Sequence, residues 1–471
     1  MLFNSFPYIL LFLPLVAIVY ALAGRYLGGR WPQACLLAAS VYFYAFGRPT
    51  DILLLGASIL FNWAIGRGLQ HPDERTRLWL LRLGLVANIV FLCSFKYVNF
   101  FLGSLTGLHG PTFALPEWQA PLGLSFFTLT QVMYLVDTYQ GLNGPNSLFD
   151  HATLVALFPY ISSGPLVRSR DLVAQFRTPK PNPDRLNQVC RGLYLCSLGF
   201  AKKVVLADSF ARIADAGYGS IGTLSTLEAW CFSFAYAFQI YFDFSGYSDI
   251  AVGSAWLLGI DIPQNFNSPY RSKSISEFWQ RWHISLSNFI TNYLYSPLVR
   301  SMGTATLRTS AVATLLAMGI AGLWHGPAWT YVVFGLLHGA GLSANQIWKK
   351  KKRKMPDWLG WIVTLVFVNV TFVFFRSPSV SAALHMLAAM LPHPHPLSVV
   401  TLRGVLPLTP TLIFRPAVIG IVAALWFKSS AELSKNFRPS ALSACVTAAL
   451  LLLSLFFMNS TVAKQFVYFA F

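Results

Sequence analysis

The stretch "AGLWHGPAWTYVVFGLLHG", residues 321–339, decides how this chain is built. It is apolar enough to lie in a membrane, yet it holds His325 and His338, with a Gly326-Pro327 pair directly after the first histidine. The apolar run around it extends from Arg308 to Lys349. As one helix rising 1.5 Å per residue that run would be about 60 Å long, twice a hydrocarbon core of roughly 30 Å. The chain must therefore turn, and Gly326-Pro327 is the place, since proline favours the first position of a helix. His325 then falls just before the N-terminus of a helix containing Trp329 and Phe334. Amide N–H groups there can hold an oxyanion, and the positive end of the helix dipole leaves the imidazole neutral and able to accept a proton. Broken helices at membrane depth are tolerated where they line a cavity. Break and histidine together read as a site; the plainer alternative is a histidine bonded to a carbonyl at a tight turn. His338 would lie about 140° from His325 on a continuous helix, so the two are no ligand pair. It reads as structural, with Gly335, Gly339 and Gly341 marking close helix packing.

Composition carries the same message along the whole chain. Of 471 residues, 55% are hydrophobic and 11% charged, against about 25% charged in ordinary globular proteins. Mean hydropathy is +0.54. Apolar segments recur near 7–23, 31–46, 52–66, 79–107, 121–139, 151–166, 190–216, 226–258, 307–323, 328–348, 358–375, 411–427 and 440–458. The class is an all-α polytopic membrane protein, some of whose segments are too short or too broken to be simple spans. Weak alternation at period two argues against a barrel. The N-terminal run lacks a basic n-region and reads as a retained first span.

The net charge of +18 sits in short loops, as the positive-inside rule expects, and does not point to nucleic acid. The run Lys349–Lys354 marks the cytoplasmic side and suits anionic lipid. Basic loops also lie at 25–30, 67–77, 168–180 and 428–438, whereas 109–119 and 217–225 have no Lys or Arg. Alternation of these loops makes both termini external. It does not close for 121–166, so one of the two apolar segments there dips into the membrane and returns. The six cysteines lie in or beside apolar segments without a CxxC spacing and read as small buried hydrophobes. His393 and His395, in "PHPHP", have no companions that would make a metal site.

Two further stretches carry polar chemistry. In "SISEFWQRWHISLSNFITNYLYSPL" (274–298), Ser274 and Glu277 form a capping box, so a helix should start near Ile275. Gln280, His283, Ser287 and Thr291 then fall on one face, a polar stripe suited to a pore lining or a re-entrant element. The plainer reading is an interfacial helix with a solvated face. In "YFDFSGYSDIAVG" (241–253), Asp243 and Asp249 are carboxylates in apolar surroundings. Pairing with a basic residue or a helix end is the favoured reading, ahead of direct catalysis.

These stretches, in this order, resemble the membrane-bound O-acyltransferase (MBOAT) family. "FWQRWHISLSNF" and "GLWHGPAWTYVVFGLLHG" match its two histidine motifs. "PLGLSFFTLTQVMYLVDTY", "FPYISSGPLVR", "GFAKKVVLAD", "PQNFNSPYRSKSISEFW" and "FVYFAF" point to the branch that acetylates alginate. The resemblance implies a ring of about eleven spans with broken and re-entrant helices around a catalytic funnel. One integral-membrane domain would cover 1–471: N-terminal spans over 1–110, a core with both histidine motifs over 119–348, and C-terminal spans over 355–471. It implies transfer of an acetyl group from acetyl-CoA or another cytoplasmic donor, without a metal, across a bacterial inner membrane to an external polysaccharide. His325 would be the catalytic histidine and His283 its partner, with Gln280, Ser287, Thr291, Trp324, Asp243 and Asp249 as candidates along the substrate path. A periplasmic acetyl-handling protein would take part. "YLYSPLVRSMG", Pro327 and "FRSPS" depart from the alginate-type pattern, so alginate, cellulose, another exopolysaccharide and peptidoglycan all stay open as polymers. The rival readings are D-alanyl transfer to teichoic acid, a solute or proton transporter, and a scaffold that only recruits an export complex.

Overall fold

A computed structural model describes residues 1–109, 119–177, 184–304, 306–392, 410–460 and 466–467. Among the described residues the regular structure is helical throughout, with no strand. Among the described residues five helices are long and apolar enough to cross a membrane: Pro7–Leu27, Glu74–Lys96, Leu307–His325, Asp357–Arg376 and Ala441–Asn459. The chain divides into two compact units, one of Met1–Cys196, Ile250–Pro263 and Arg438–Ala444, the other of Ser197–Asp249, Gln264–Phe437 and Cys445–Phe471.

The first unit begins with α1 (Pro7–Leu27), which is π-helical over Pro7–Phe12 and Ala23–Leu27. It continues through α2 (Trp31–Ala45), α3 (Asp51–Gly68), α4 (Glu74–Lys96), α5 (Val98–His109), α6 (Leu124–Tyr139), α7 (Leu148–Ala156), α8 (Ser169–Arg177) and α9 (Arg185–Phe200). The expected segment 79–107 is thus two helices, divided at Tyr97. On α4, Leu83, Val86, Ile89 and Val90 are exposed, the stripe expected of a lipid-facing helix. Its other face is fastened inside. Asn62 and Asn88 exchange amide hydrogen bonds between α3 and α4 (3.3 and 2.6 Å), and a Cβ on Gly84 would meet Leu135 at 2.6 Å. Small residues and amide pairs of this kind hold helices together where lipid supplies no hydrophobic drive.

The two apolar segments within 121–166 differ in backbone. Helix α6 is regular, but α7 stops at Ala156 and residues 157–167 are irregular and buried. Buried irregular backbone requires internal partners. Here Phe158 N–H donates to Ser40 Oγ (3.1 Å), and Gly164 N–H donates to the Tyr160 carbonyl (2.9 Å). Gly123 (φ 70°) abuts the Ile161 carbonyl, where a side chain would collide.

In the second unit a π-helical turn (Ala201–Ala207) leads into α10 (Asp208–Tyr218) and α11 (Thr226–Leu257), whose residues from Ile250 onward belong to the first unit. Helix α11 has 32 residues and is almost wholly buried between residues 235 and 257. It is a helix packed inside protein, which lets it carry two aspartates. Then follow α12 (Ile275–Arg281), α13 (Ile284–Phe289), a π-helical turn (Ile290–Tyr295), α14 (Ser296–Ser301), α15 (Leu307–His325), α16 (Trp329–Lys350), α17 (Asp357–Arg376), α18 (Val380–Ala389), α19 (Pro410–Trp426), α20 (Ser430–Lys435) and α21 (Ala441–Ser460). All six cysteines are free thiols, but only Cys196 is buried; Cys231 and Cys445 are exposed. The expectation of buried cysteines therefore fails at those two, which lie on outward faces of apolar helices.

Candidate active site

Helices α15 and α16 form the expected hairpin. Thr306 and Thr309 close a capping box at the start of α15, and the chain leaves the helix at Gly326, whose backbone is extended. A Cβ on Gly326 would collide with the Tyr331 ring, so a larger residue here would have to displace that side chain. Along the hairpin a Cβ on Gly335 would meet Gly322 Cα at 2.9 Å, and one on Gly339 would meet Leu315 Cα at 3.0 Å. Gly341 packs against the Phe367 ring of α17 in the same way. The three glycines do mark helix contacts.

His325 is the last residue of α15 and is 4% exposed. Its ring lies 5.1 Å from Trp324, 5.2 Å from Phe375 and 6.1 Å from Phe334, centroid to centroid. This corrects one element of the sequence argument. The histidine completes the negative end of α15 as well as preceding the positive end of α16, so the two dipoles oppose and neither alone sets the charge of the ring.

The polar stripe is a different object from the continuous helix expected. The capping box forms, with Ser274 Oγ accepting from Glu277 N–H (3.2 Å). Helix α12 then ends at Arg281, Trp282 is extended, and His283 adopts the left-handed conformation (φ 43°, ψ 54°). That conformation costs an L-residue about 1 kcal/mol or more. Asn265 offsets it. The Asn265 carbonyl accepts from Ile284 N–H (3.0 Å). Its side-chain Oδ1 accepts from Ser285 N–H (3.0 Å), Ser285 Oγ (2.9 Å) and His283 Nδ1 (3.2 Å). A backbone N–H can only donate, which identifies the contacted atom as the amide oxygen. The oxygen only accepts, so His283 carries its proton on Nδ1 and Nε2 is the basic nitrogen of the neutral ring. The His283 side chain is fully buried, edge-on to Phe244 at 4.6 Å.

The break rotates the histidine off the stripe. Gln280, Ser287 and Thr291 line one cavity of about 360 Å³ with Ser276, Asn288 and Gln346, and His283 is not among its walls. The two histidines share an aromatic cluster instead. Trp282, adjacent to His283, lies 5.3 Å from Phe372, Phe372 lies 6.2 Å from Phe375, and Phe375 touches His325. Trp324 belongs to the shell of His325 and not to the cavity.

His338 is held from both sides. Trp279 Nε1–H donates to its Nδ1 (3.2 Å), so Nε2 bears the proton and donates to Thr371 Oγ1 (2.9 Å). The Thr371 hydroxyl in turn donates to the Val368 carbonyl (2.8 Å). Every polar group of the chain Trp279–His338–Thr371 has a use, the arrangement of a structural histidine.

Asp243 and Asp249 meet cations that the sequence placed beside no particular partner. Lys203 bridges Asp243 (2.7 Å) and Asp208 (2.9 Å), with its side chain 3% exposed. Lys202 reaches Asp249 (2.7 Å), which also accepts from Ser430 Oγ (2.9 Å). Val467 N–H donates to the other oxygen of Asp243 (2.7 Å). Intramembrane carboxylates are tolerated when paired like this. The sequence reading missed Asn265, Lys202 and Lys203 as specific partners. Among the described residues no cluster of three or more His, Cys, Asp or Glu side chains forms a metal site; His393 and His395 lie outside the described residues.

Comparison with known proteins fits this geometry. The model of the membrane-bound O-acyltransferase family matches residues 75–381, which include both histidine motifs. The chain is 37% identical over 424 residues to a peptidoglycan O-acetyltransferase of Helicobacter pylori, covering 83% of this chain and 80% of the relative. It is 37% identical over 399 residues to a "Probable alginate O-acetylase" of Pseudomonas aeruginosa, covering 83% and 75%. A teichoic acid D-alanyltransferase of Bacillus subtilis is 29% identical over 269 residues, covering 54% and 68%. The motifs, the helical membrane architecture and these matches agree: the chain belongs to the membrane-bound O-acyltransferase family.

Proposed function

We propose that this acyltransferase moves an acetyl group from a cytoplasmic donor to a polysaccharide hydroxyl outside the inner membrane of a bacterium. The observation that carries the reading is His325, a buried histidine held at the break of a glycine-packed hairpin and ringed by Trp324, Phe334 and Phe375. The names of the peptidoglycan and alginate relatives support acetyl as the group and a cell-envelope polymer as the acceptor. His325 accepts the proton of the attacking hydroxyl as its oxygen bonds to the acyl carbon of a thioester donor such as acetyl-CoA. The C–S bond then breaks, and the same proton passes to the departing thiolate. The aromatic shell excludes water that would hydrolyse the donor. His283, with Nε2 basic, assists, and Gln280, Ser287 and Thr291 line part of the substrate path. Residues 119–348 form the catalytic core of a single domain, and the ring of about eleven spans belongs to the same proposal. Lys349–Lys354 faces the cytoplasm and anionic lipid, both termini are external, and a periplasmic acetyl-handling protein completes delivery to the polymer.

The test is transfer of labelled acetyl from acetyl-CoA in membrane vesicles, comparing wild type with His325→Ala and His325→Gln. A positioned general base is worth about 10²–10⁴ in rate, so both variants should fall by that factor while inserting normally. Near-normal transfer by His325→Gln would remove proton transfer from this residue. Transfer of labelled D-alanine in place of acetyl would redirect the reading to teichoic acid.

A further inference from the structure

The environment of Asn265 extends the proposed chemistry and rests on the reading of His283 as part of the acyl-transfer site. Asn265 is fully buried, and its Oδ1 serves three donors from residues 283–285. Its amide nitrogen, by contrast, has no hydrogen-bond partner among the described residues. Orphaning an amide donor in a dry interior is unfavourable. Aspartate would offer oxygens alone and leave no donor orphaned, but would bury a charge. Aspartate would also put a negative charge against the imidazole and favour its protonated form. An asparagine gives the same three acceptor bonds while keeping the ring neutral. Its backbone contributes too: the Asn265 carbonyl takes Ile284 N–H (3.0 Å), and Asn267 N–H donates to the Arg281 carbonyl (2.9 Å). The segment 265–267 is therefore clipped across the helix break at two backbone points, with the side chain set on the ring between them.

We infer that Asn265 is a positioning residue of the acyl-transfer site: it fixes His283 as the neutral Nδ1–H tautomer, so that Nε2 is the nitrogen available to accept a proton. The groups packed against the ring are consistent with this. Phe244 stands edge-on to it, and Ser285 shares the same amide oxygen.

Two measurements test the inference. In lipid nanodiscs containing protein labelled with ¹⁵N-histidine, the resonances that disappear in His283→Gln identify His283. Wild type should show its proton on Nδ1, and Asn265→Leu should lose that preference; an unchanged tautomer in Asn265→Leu would overturn the inference. Asn265→Asp retains the three acceptor bonds and should fold. Its acetyl transfer from labelled acetyl-CoA in vesicles should show an acid limb moved to higher pH, because the added carboxylate keeps the ring protonated further up the scale. A pH profile superimposable on wild type would overturn the inference, whatever the effect on rate. Asn265→Ala should lower transfer by about 100-fold, the scale of a misplaced catalytic group. Full acetylation by His283→Gln would instead sink the role of His283 in transfer, while the tautomer measurement would still decide what Asn265 does to the ring.

Discussion

Gly335→Ala adds one methyl at the tightest point of the hairpin that ends in His325. The added carbon would lie 2.9 Å from Gly322 Cα and closer still to the Met318 carbonyl oxygen. Both are backbone atoms, so no side chain can rotate out of the way. Ordinary carbon–carbon contact is about 3.5–4.0 Å, so α15 and α16 must separate by roughly 1 Å. Gly322 is three residues before His325 on the same helix, about 4.5 Å along its axis, so the displacement is delivered to the histidine almost undiminished. A misplacement of about 1 Å can cost on the order of 10²-fold in rate, and overpacking of this kind costs about 1–3 kcal/mol in stability. Two other glycines grade the effect. At Gly319 the added methyl would meet the end of the flexible Leu336 side chain at 3.2 Å, and at Gly339 it would meet Leu315 Cα at 3.0 Å. Polymer acetylation in cells, at matched protein levels, should therefore fall least for Gly319→Ala, more for Gly339→Ala and most for Gly335→Ala. Melting in nanodiscs should follow the same order. Full acetylation by Gly335→Ala, or greater damage from Gly319→Ala, would refute the claim that this contact positions His325.

Three more perturbations probe separate parts of the second unit. His338→Gln keeps an acceptor for Trp279 and should leave acetylation close to wild type, whereas His338→Leu strands the buried Trp279 N–H and should cost about 1–3 kcal/mol in nanodisc melting; equal stability of the two would deny the hydrogen-bonded chain. Single cysteines at Gln280, Ser287 and Thr291 should react with small aqueous thiol reagents, and cysteines at Phe278, His283 and Phe289 should react far less. Uniform reactivity would mean that the cavity is not a wet path. Lys203→Met removes the cation shared by Asp208 and Asp243 and should destabilise the protein by about 3–5 kcal/mol. A melting temperature within a degree of wild type would show that those carboxylates do not depend on it.

The sequence made legible those features whose cause is local. The turn at Gly326-Pro327 follows from helix length against bilayer thickness, and the cap at Ser274 and the packing glycines follow from residue type. The structural character of His338 was inferable from angle alone, although its partners Trp279 and Thr371 were not. The break at Trp282–His283 escaped because neither residue is a helix breaker. It is imposed by Asn265, eighteen residues earlier in the chain, through hydrogen bonds that no periodicity reports. A polar stripe on a helical wheel presumes an unbroken helix, which is why Gln280, Ser287 and Thr291 share a wall and His283 does not. Lys202 and Lys203 escaped for a related reason: adjacent lysines resemble a solvated loop, and only the fold brings Asp249 and Asp243 to them. At His325 two opposed helix ends meet, where residue order alone suggests only the start of α16.

The lysine–aspartate pairs also impose a schedule on biosynthesis. Lys203 is translated 40 residues before Asp243, and Lys202 is translated 47 before Asp249. The cationic turn is therefore already in place when the acidic helix emerges, and a short stretch of nascent chain suffices to neutralise it. An unpaired aspartate at bilayer depth carries a penalty of roughly 2.5–3.5 kcal/mol on insertion scales, so this order of arrival shields α11 during its most vulnerable interval. Val467 follows Asp243 by 224 residues, and its N–H supplies a further bond to that carboxylate.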